Sequence, residues 1–212
     1  ERVPKQTGLM VMDRDFGTWK RITDEPVIPA EFDYEEEGSS HPSCAIDRDT
    51  IHIIYTGEAK GTGDANSPYN DPTLCHATAP VSDPANVTKN LANPVFKGSG
   101  AGWDKYGVRE AEILKGPEYF HIFYGGYNGK IWQIGHVRTK DFKTFEASPY
   151  NPIFTPNEDP DAWDSSQLLT PQVFELNEKF YMIYAGLKGN GWGGKAECYS
   201  GLAVARGSKT CE

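Results

Sequence analysis

Apolar residues alternate along this chain instead of recurring at helical spacing. Ile51, Ile53 and Tyr55 form one set at period two, and Phe120, Ile122 and Tyr124 form another. Period two predicts strands with one such set on each face. No window of about a dozen residues carries an amphipathic 3.6 period, so little helix is expected. The strands also repeat. Trp103-Asp104 recurs as Trp163-Asp164, and Tyr124-Gly125-Gly126 as Tyr184-Ala185-Gly186, both displaced by 60 positions. Phe32-Asp33 and Tyr55-Thr56-Gly57 read as the earlier copies. Pro26-Val27-Ile28, Pro94-Val95-Phe96 and Pro152-Ile153-Phe154 precede each aromatic-Asp pair. Asp15-Phe16-Gly17-Thr18-Trp19 matches Asp141-Phe142-Lys143-Thr144-Phe145.

Each unit reads as four strands. The first is Pro42–Ile46, Ala111–Leu114 or Pro171–Phe174, and the second is Thr50–Thr56, Tyr119–Gly125 or Lys179–Ala185. The third is Cys75-His76-Ala77-Thr78, Gly135-His136-Val137-Arg138 or Gly201-Leu202-Ala203-Val204, with Gly8-Leu9-Met10-Val11 a further copy. The fourth is short and lies near Trp19 or Phe145. A repeated four-stranded unit of this length is a β-propeller blade. The fold class is therefore all-β, a single propeller domain. Residues 1–30 supply the outer strands of one blade, 31–98 and 99–157 are two full blades, and 158–212 hold the inner strands of a further blade plus a tail. That is about three and a half blades, where closed rings have roughly 4–8. Three completions stay open. The rest lies on another piece, copies complete each other, or strand Gly8–Met12 closes a small ring onto the blade ending at Arg206.

Composition narrows the class. Aromatics make up 12% of the chain, which disordered sequences do not carry, and 22 Gly with 15 Pro supply many turns. The net charge of -9 argues against nucleic acid or an anionic membrane as partner, because phosphates need a basic face. No apolar run approaches the roughly 20 residues that span a bilayer. The chain opens on Glu1, the mark of a processed or excised product or an incomplete record, and no signal peptide is read in it. Four cysteines (Cys44, Cys75, Cys198, Cys211) and the glycosylation sequon Asn86-Val87-Thr88 favour a secreted glycoprotein with disulfides. Cys198 and Cys211 could tie the tail back, or Cys211 could bind a second chain.

The run Trp103-Asp104 through Val108-Arg109-Glu110-Ala111-Glu112-Ile113-Leu114 continues to Phe120–Gly129 and Gln133–Phe145. It resembles the five-bladed propellers of glycoside hydrolase families 43, 32 and 130, the arabinanase/levansucrase-like group. The resemblance implies a glycan bound at the central funnel, at the face where each first strand begins. It places Ser39–His41, Arg109-Glu110 and Leu169-Thr170 there. The loops Glu58–Pro72, Gly125–Trp132 and Leu187–Cys198 share that face and carry Tyr69, Tyr127, Trp132 and Trp192. Such rings suit sugar CH faces, and equally they could only cover the blade tops. Glycoside hydrolysis uses two carboxylates. Family 32 has an Asp before a Pro, then Arg-Asp-Pro, then Glu-Cys-Pro on successive inner strands. This chain reads His41-Pro42, Arg109-Glu110-Ala111 and Leu169-Thr170-Pro171 at those places. Only Glu110 keeps a carboxylate, one carbon longer, and the family 43 pattern fails in the same way.

Glu110 is therefore the candidate catalytic residue, with Glu112 a possible second carboxylate on the same strand face. His41, Arg109, Thr170, Gln172, Tyr127, Trp132 and Trp192 are candidate substrate contacts. His41 resembles the axial His of family 43, sometimes linked to a cation. No cofactor or metal is expected beyond a structural cation at the axis. Asp33, Asp104 and Asp164 repeat and so read as structural, the run Glu35, Glu36, Glu37 as a solvated acidic loop or a metal contribution, and the remaining histidines as structural. Three function classes stay open. They are a glycoside hydrolase or phosphorylase completed by another chain or fragment, a non-catalytic glycan-binding propeller, and a structural extracellular component.

Overall fold

The computed structural model describes residues 4–61, 71–189 and 197–205. Thirteen strands, in antiparallel sheets, and one 3-10 turn (Asp33–Glu35) make up its regular structure. A two-stranded sheet pairs β1 (Met10–Met12) with β2 (Trp19–Arg21). The first blade runs β3 (Gly38–Asp47), β4 (Thr50–Glu58), β5 (Thr73–Pro80), β6 (Thr88–Lys89). The second runs β7 (Val108–Lys115), β8 (Phe120–Tyr127), β9 (Trp132–Thr139), β10 (Glu146–Ala147). The third has β11 (Gln167–Leu176), β12 (Lys179–Lys188) and β13 (Glu197–Val204). The inner strands β3, β7 and β11 pack in that order, β7 touching both others, so the sheets stand as propeller blades. Among the described residues β1 pairs only with β2, and β13 carries no fourth strand. The closure of Gly8–Met12 onto the last blade is not formed.

The turns follow from local chemistry. Asn177 and Glu178, at φ 52 and 59, make the two-residue link between β11 and β12. Two left-handed residues give a turn whose twist matches the strands it joins.

One device recurs in every blade. A second-strand tyrosine donates its hydroxyl to a carboxylate 20 positions earlier: Tyr124 to Asp104 at 2.9 Å, Tyr184 to Asp164 at 2.9 Å, and Tyr55 to Glu35 at 3.3 Å. The first blade's copy of Trp-Asp is therefore Tyr34-Glu35, not Phe32-Asp33. Phe32 is exposed, whereas Glu35 is wholly buried and pairs with Lys89. This also corrects the reading of Glu35 as part of a solvated loop. The aromatic member lies on glycines of the blade's second and third strands. A Cβ on Gly126 or Gly135 would stand 2.3 or 2.2 Å from the Trp103 indole, and Gly186 and Gly201 meet Trp163 likewise. In the first blade Cys75 takes the place of Gly135 opposite its tyrosine, where the smaller Tyr34 leaves room.

Neighbouring blades share cores. Ile54 and Leu74 of the first blade meet Ile113, Phe120, Ile122 and Tyr124 of the second. Ile134 of the second meets Leu168 and Tyr184 of the third. The histidines pair across strands two and three, His52 with His76 at 3.2 Å and His121 with His136 at 3.1 Å. The far face of the third blade is open. Phe174, Leu176, Ile183, Leu202 and Val204 are all exposed there.

The described cysteines form no disulfide, contrary to expectation: Cys44, Cys75 and Cys198 are free thiols. Cys44 and Cys75 pair with residues on opposite edges of β4. Two strand spacings of about 4.8 Å separate them, beyond the roughly 7 Å that a disulfide tolerates between Cα atoms. Cys211 lies outside the described residues.

Candidate functional site

Each inner strand carries the same irregularity near its start. The register slips between Ser40 and Ser43, between Arg109 and Glu112, and between Leu169 and Gln172. These are β-bulges, with one extra residue on the inner strand. The first bulged residue is His41, Glu110 or Thr170, at φ 50, 54 and 48. A left-handed conformation costs an L-residue about 1–2 kcal/mol, and here it is repeated three times at one level of the propeller. The second bulged residue is Pro42, Ala111 or Pro171, where a strand tolerates a missing N–H. The bulge also resets the alternation, so Glu112 does not share the face of Glu110. Instead it pairs opposite Phe123 and accepts a hydrogen bond of 2.9 Å from Ser43 of the neighbouring inner strand. Burial raises the Glu112 pKa, and the Ser43 bond offsets this only in part.

Two of the three axial residues come together. His41 Nε2 lies 3.7 Å from Glu110 Oε1. The Glu110 side chain is buried, with the whole residue 7% exposed. Its backbone N–H, freed by the bulge, donates to Thr56 Oγ1 at 3.0 Å. Arg109 Nε stands 2.8 Å from Glu110 Oε1 as a close ion pair, but its N–H is not aimed at that oxygen. Arg109 Nε and Glu110 Oε2 are both buried without a hydrogen-bond partner among the described residues. The Arg109 guanidinium also lies over the Trp132 ring, 5.7 Å from its centroid.

A polar chain runs back from His41 into the first blade. Ser40 Oγ is 2.8 Å from His41 Nδ1 and donates to Glu58 Oε1 at 2.7 Å. Lys5 Nζ donates to both Glu58 oxygens at 2.6 and 2.9 Å. Burial would raise the Glu58 pKa, but the bonds from Lys5 and Ser40 outweigh it and hold the carboxyl below its ordinary value. Burial lowers the His41 pKa, aided by Arg109 and Lys5 and opposed by Glu110 and Glu58.

Thr170 and Gln172 sit exposed on β11. Tyr127 and Trp132 stack on each other at 4.9 Å within a core cluster with Leu169 and Leu187. Trp132 is 0% exposed, so its ring backs Arg109 instead of standing open as a platform. Trp192 and Tyr69 lie outside the described residues. Asn86 is exposed in the turn before β6. No group of three His, Cys, Asp or Glu gathers among the described residues. Among the described residues His41 and Glu110 converge at this level, and the Arg109 guanidinium stands against the carboxylate.

Sequence reasoning missed Lys5 and Thr56, and it placed Ser40 and Glu58 at this face without giving either a role. A signal existed for one of them. Glu58 follows Tyr55 by three positions, as Tyr127 follows Tyr124 and Leu187 follows Tyr184. A carboxylate where the other blades place core residues marks a local departure with a purpose.

No protein-family model matches the chain. Among curated proteins, the β-1,2-mannobiose phosphorylase of Thermoanaerobacter sp. is 25% identical over 104 residues, which span 42% of this chain and 33% of that protein. Among solved structures, a Bombyx mori GH32 β-fructofuranosidase superposes with TM-score 0.65 at 20% identity, covering 88% of this chain and 36% of that one. A family 117 glycoside hydrolase of Zobellia galactanivorans gives TM-score 0.62 at 16% identity, covering 79% and 52%. The chain thus spans about a third of the mannobiose phosphorylase and of the fructofuranosidase. Its fold is that of the propeller glycoside hydrolases.

Proposed function

We propose that this chain is a carbohydrate-active propeller of glycoside hydrolase type, holding a glycan at the mouth where the three inner strands begin. Glu110 is the residue that meets the sugar. One observation carries this reading: a buried carboxylate, aimed by a left-handed bulge, keeps an oxygen without a hydrogen-bond partner among the described residues. Leaving a buried acceptor unpaired costs about 1–3 kcal/mol. A sugar hydroxyl supplies the missing donor. With Arg109 alongside, Glu110 can stabilise positive charge developing on a sugar ring, the role a carboxylate plays in an oxocarbenium-like transition state. His41 lines the same subsite.

A specific observation favours a second reading, binding without cleavage. The three equivalent axial residues are His41, Glu110 and Thr170, which give one carboxylate where hydrolysis uses a pair. Calorimetry separates the readings when combined with a turnover assay. The first probes are sucrose, found bound in one of the GH32 structures, and β-1,2-mannobiose, named in the phosphorylase. Wild type should bind one of these or a related furanoside or mannoside, and Glu110→Gln should weaken binding at least about tenfold, the effect of one charged hydrogen bond. Turnover lost in Glu110→Gln supports the enzyme. Binding without turnover supports the module. Affinity unchanged in Glu110→Gln refutes the site.

We also infer that a further sheet, from a second chain or fragment, covers the open apolar face of the third blade. Secretion and a glycan on Asn86 complete the picture. Native mass spectrometry tests the covering sheet and the Asn86 glycan, and a bare monomer with unmodified Asn86 would reject both.

A further inference from the structure

Ser40 has one hydroxyl hydrogen and two neighbours that could take it. Glu58 Oε1 lies at 2.7 Å and His41 Nδ1 at 2.8 Å. Glu58 is held by Lys5 through both oxygens, and an ionised carboxylate can only accept. The hydrogen therefore goes to Glu58. Ser40 Oγ is left with lone pairs toward the imidazole, so His41 Nδ1 must carry a hydrogen to complete the contact. In a neutral ring the other nitrogen is then bare.

We propose that Glu58, acting through Ser40, locks His41 as its Nδ1–H tautomer, so that Nε2 faces Glu110 as a lone pair. Glu58 and Ser40 are positioning residues. They touch no ligand and set the chemistry of the atom that does. Two acceptors, His41 Nε2 and Glu110 Oε1, then face each other across 3.7 Å. That gap is too long for a direct hydrogen bond, and neither atom brings a proton to it. What fits there is a donor from outside. Resting on the glycan reading above, this names the feature of the ligand that is recognised: two adjacent hydroxyls, one given to His41 and one to the carboxylate. Burial keeps His41 neutral at neutral pH, and Arg109 offsets the Glu110 charge. The charged groups around the ring are Lys5, Glu58, Arg109 and Glu110.

The test is two-bond 1H–15N NMR of the whole chain at neutral pH, with no sugar present. It reads each ring nitrogen as protonated or bare. Wild type should show His41 with Nδ1 protonated and Nε2 bare. In Ser40→Ala the Nδ1 partner is gone. In Glu58→Ala the Ser40 hydrogen turns to Nδ1. Both variants should switch the ring to Nε2–H, its hydrogen turned toward the Glu110 charge, while Ser40→Thr should restore the wild-type pattern. Wild-type His41 with Nε2 protonated overturns the proposal, and that spectrum needs no variant to fold. So does a Ser40→Ala protein that keeps the wild-type tautomer. The readout does not depend on sugar. A locked tautomer in a protein that binds no glycan upholds the lock and removes the proposed function. Glycan binding with the other tautomer does the reverse.

Discussion

The blades predict how one of their glycines can be replaced. A Cβ built on Gly135 falls 2.2 Å from Trp103 Cη2 and 2.5 Å from Cζ2. Carbon atoms pack at about 3.5–4.0 Å, so the indole must retreat by more than about 1 Å. It has little room, because the ring is already buried in the core, over the sheet face that Gly135 shares with Gly126, where a Cβ would stand 2.3 Å from it. Gly135→Cys should therefore cost close to 3 kcal/mol, the upper part of the usual range for overpacking. In a chain of this size that lowers Tm by about 6–12 °C. The first blade already holds the compensated pair, Tyr34 with Cys75 in place of Trp103 with Gly135. Trp103→Tyr should thus recover part of the loss. The indole N–H has no hydrogen-bond partner among the described residues, so removing it breaks none there. Urea denaturation of wild type, both single variants and the double variant gives the cycle. The double should be more stable than the summed singles by about 1 kcal/mol or more, as expected for residues in contact. Additivity within about 0.5 kcal/mol would refute the equivalence of the two blades.

Other outcomes follow from single groups. Burial, with His52 adding to it, lowers the His76 pKa from 6.5 to about 3, and burial with His121 lowers His136 to about 4. Unfolded histidines take up protons near 6.5, so between that pH and about 3–4 the unfolded state binds more protons and stability falls as pH falls. A denaturation series from pH 7 to 4 should lose a few kcal/mol (at most roughly 1.4 kcal/mol for each tenfold fall in a histidine's proton affinity on folding), and His76→Gln should flatten it; an equally steep profile in the variant contradicts the assignment. In a Cys211→Ser background, maleimide should label exposed Cys44 and Cys198 in the native protein and spare Cys75, whose thiol burial pushes up to about 12. Native labelling of Cys75 would mean that the first blade's core opens. Thr170→Gly should raise stability by about 0.5–1 kcal/mol, because glycine adopts the left-handed bulge without strain. No gain by denaturant titration would show the bulge to be unstrained.

The repeat was legible because its parts are chemically loud: Trp103, Trp163 and the Tyr-Gly pairs keep their spacing. The first copy was misplaced because matching followed the Asp. Spacing to the second-strand tyrosine would have chosen Glu35, whose longer side chain reaches the same hydroxyl from Tyr34's turn. Glu110 and His41 stand 3.7 Å apart because both lie near the start of an inner strand, a position the repeat makes visible. The strict period-two reading then failed at the bulge and put Glu112 on the wrong face. Pro42 and Pro171 inside strands were the available warning. The chain from Lys5 to His41 links residues 53 positions apart through Glu58, and no local pattern announces such a contact. Tyr127 and Trp132 looked like sugar platforms because loop aromatics often are, but stacking on each other buried them first.

The most direct test of the axial site is a titration of the 15N-labelled protein with sucrose and with β-1,2-mannobiose, followed by amide shifts. Binding at the mouth predicts saturable changes at residues 39–41, 43, 109–112 and 168–170, absent in Glu110→Gln. Saturable changes confined to other surfaces, or persisting unaltered in Glu110→Gln, would contradict the placement of the glycan at the propeller axis.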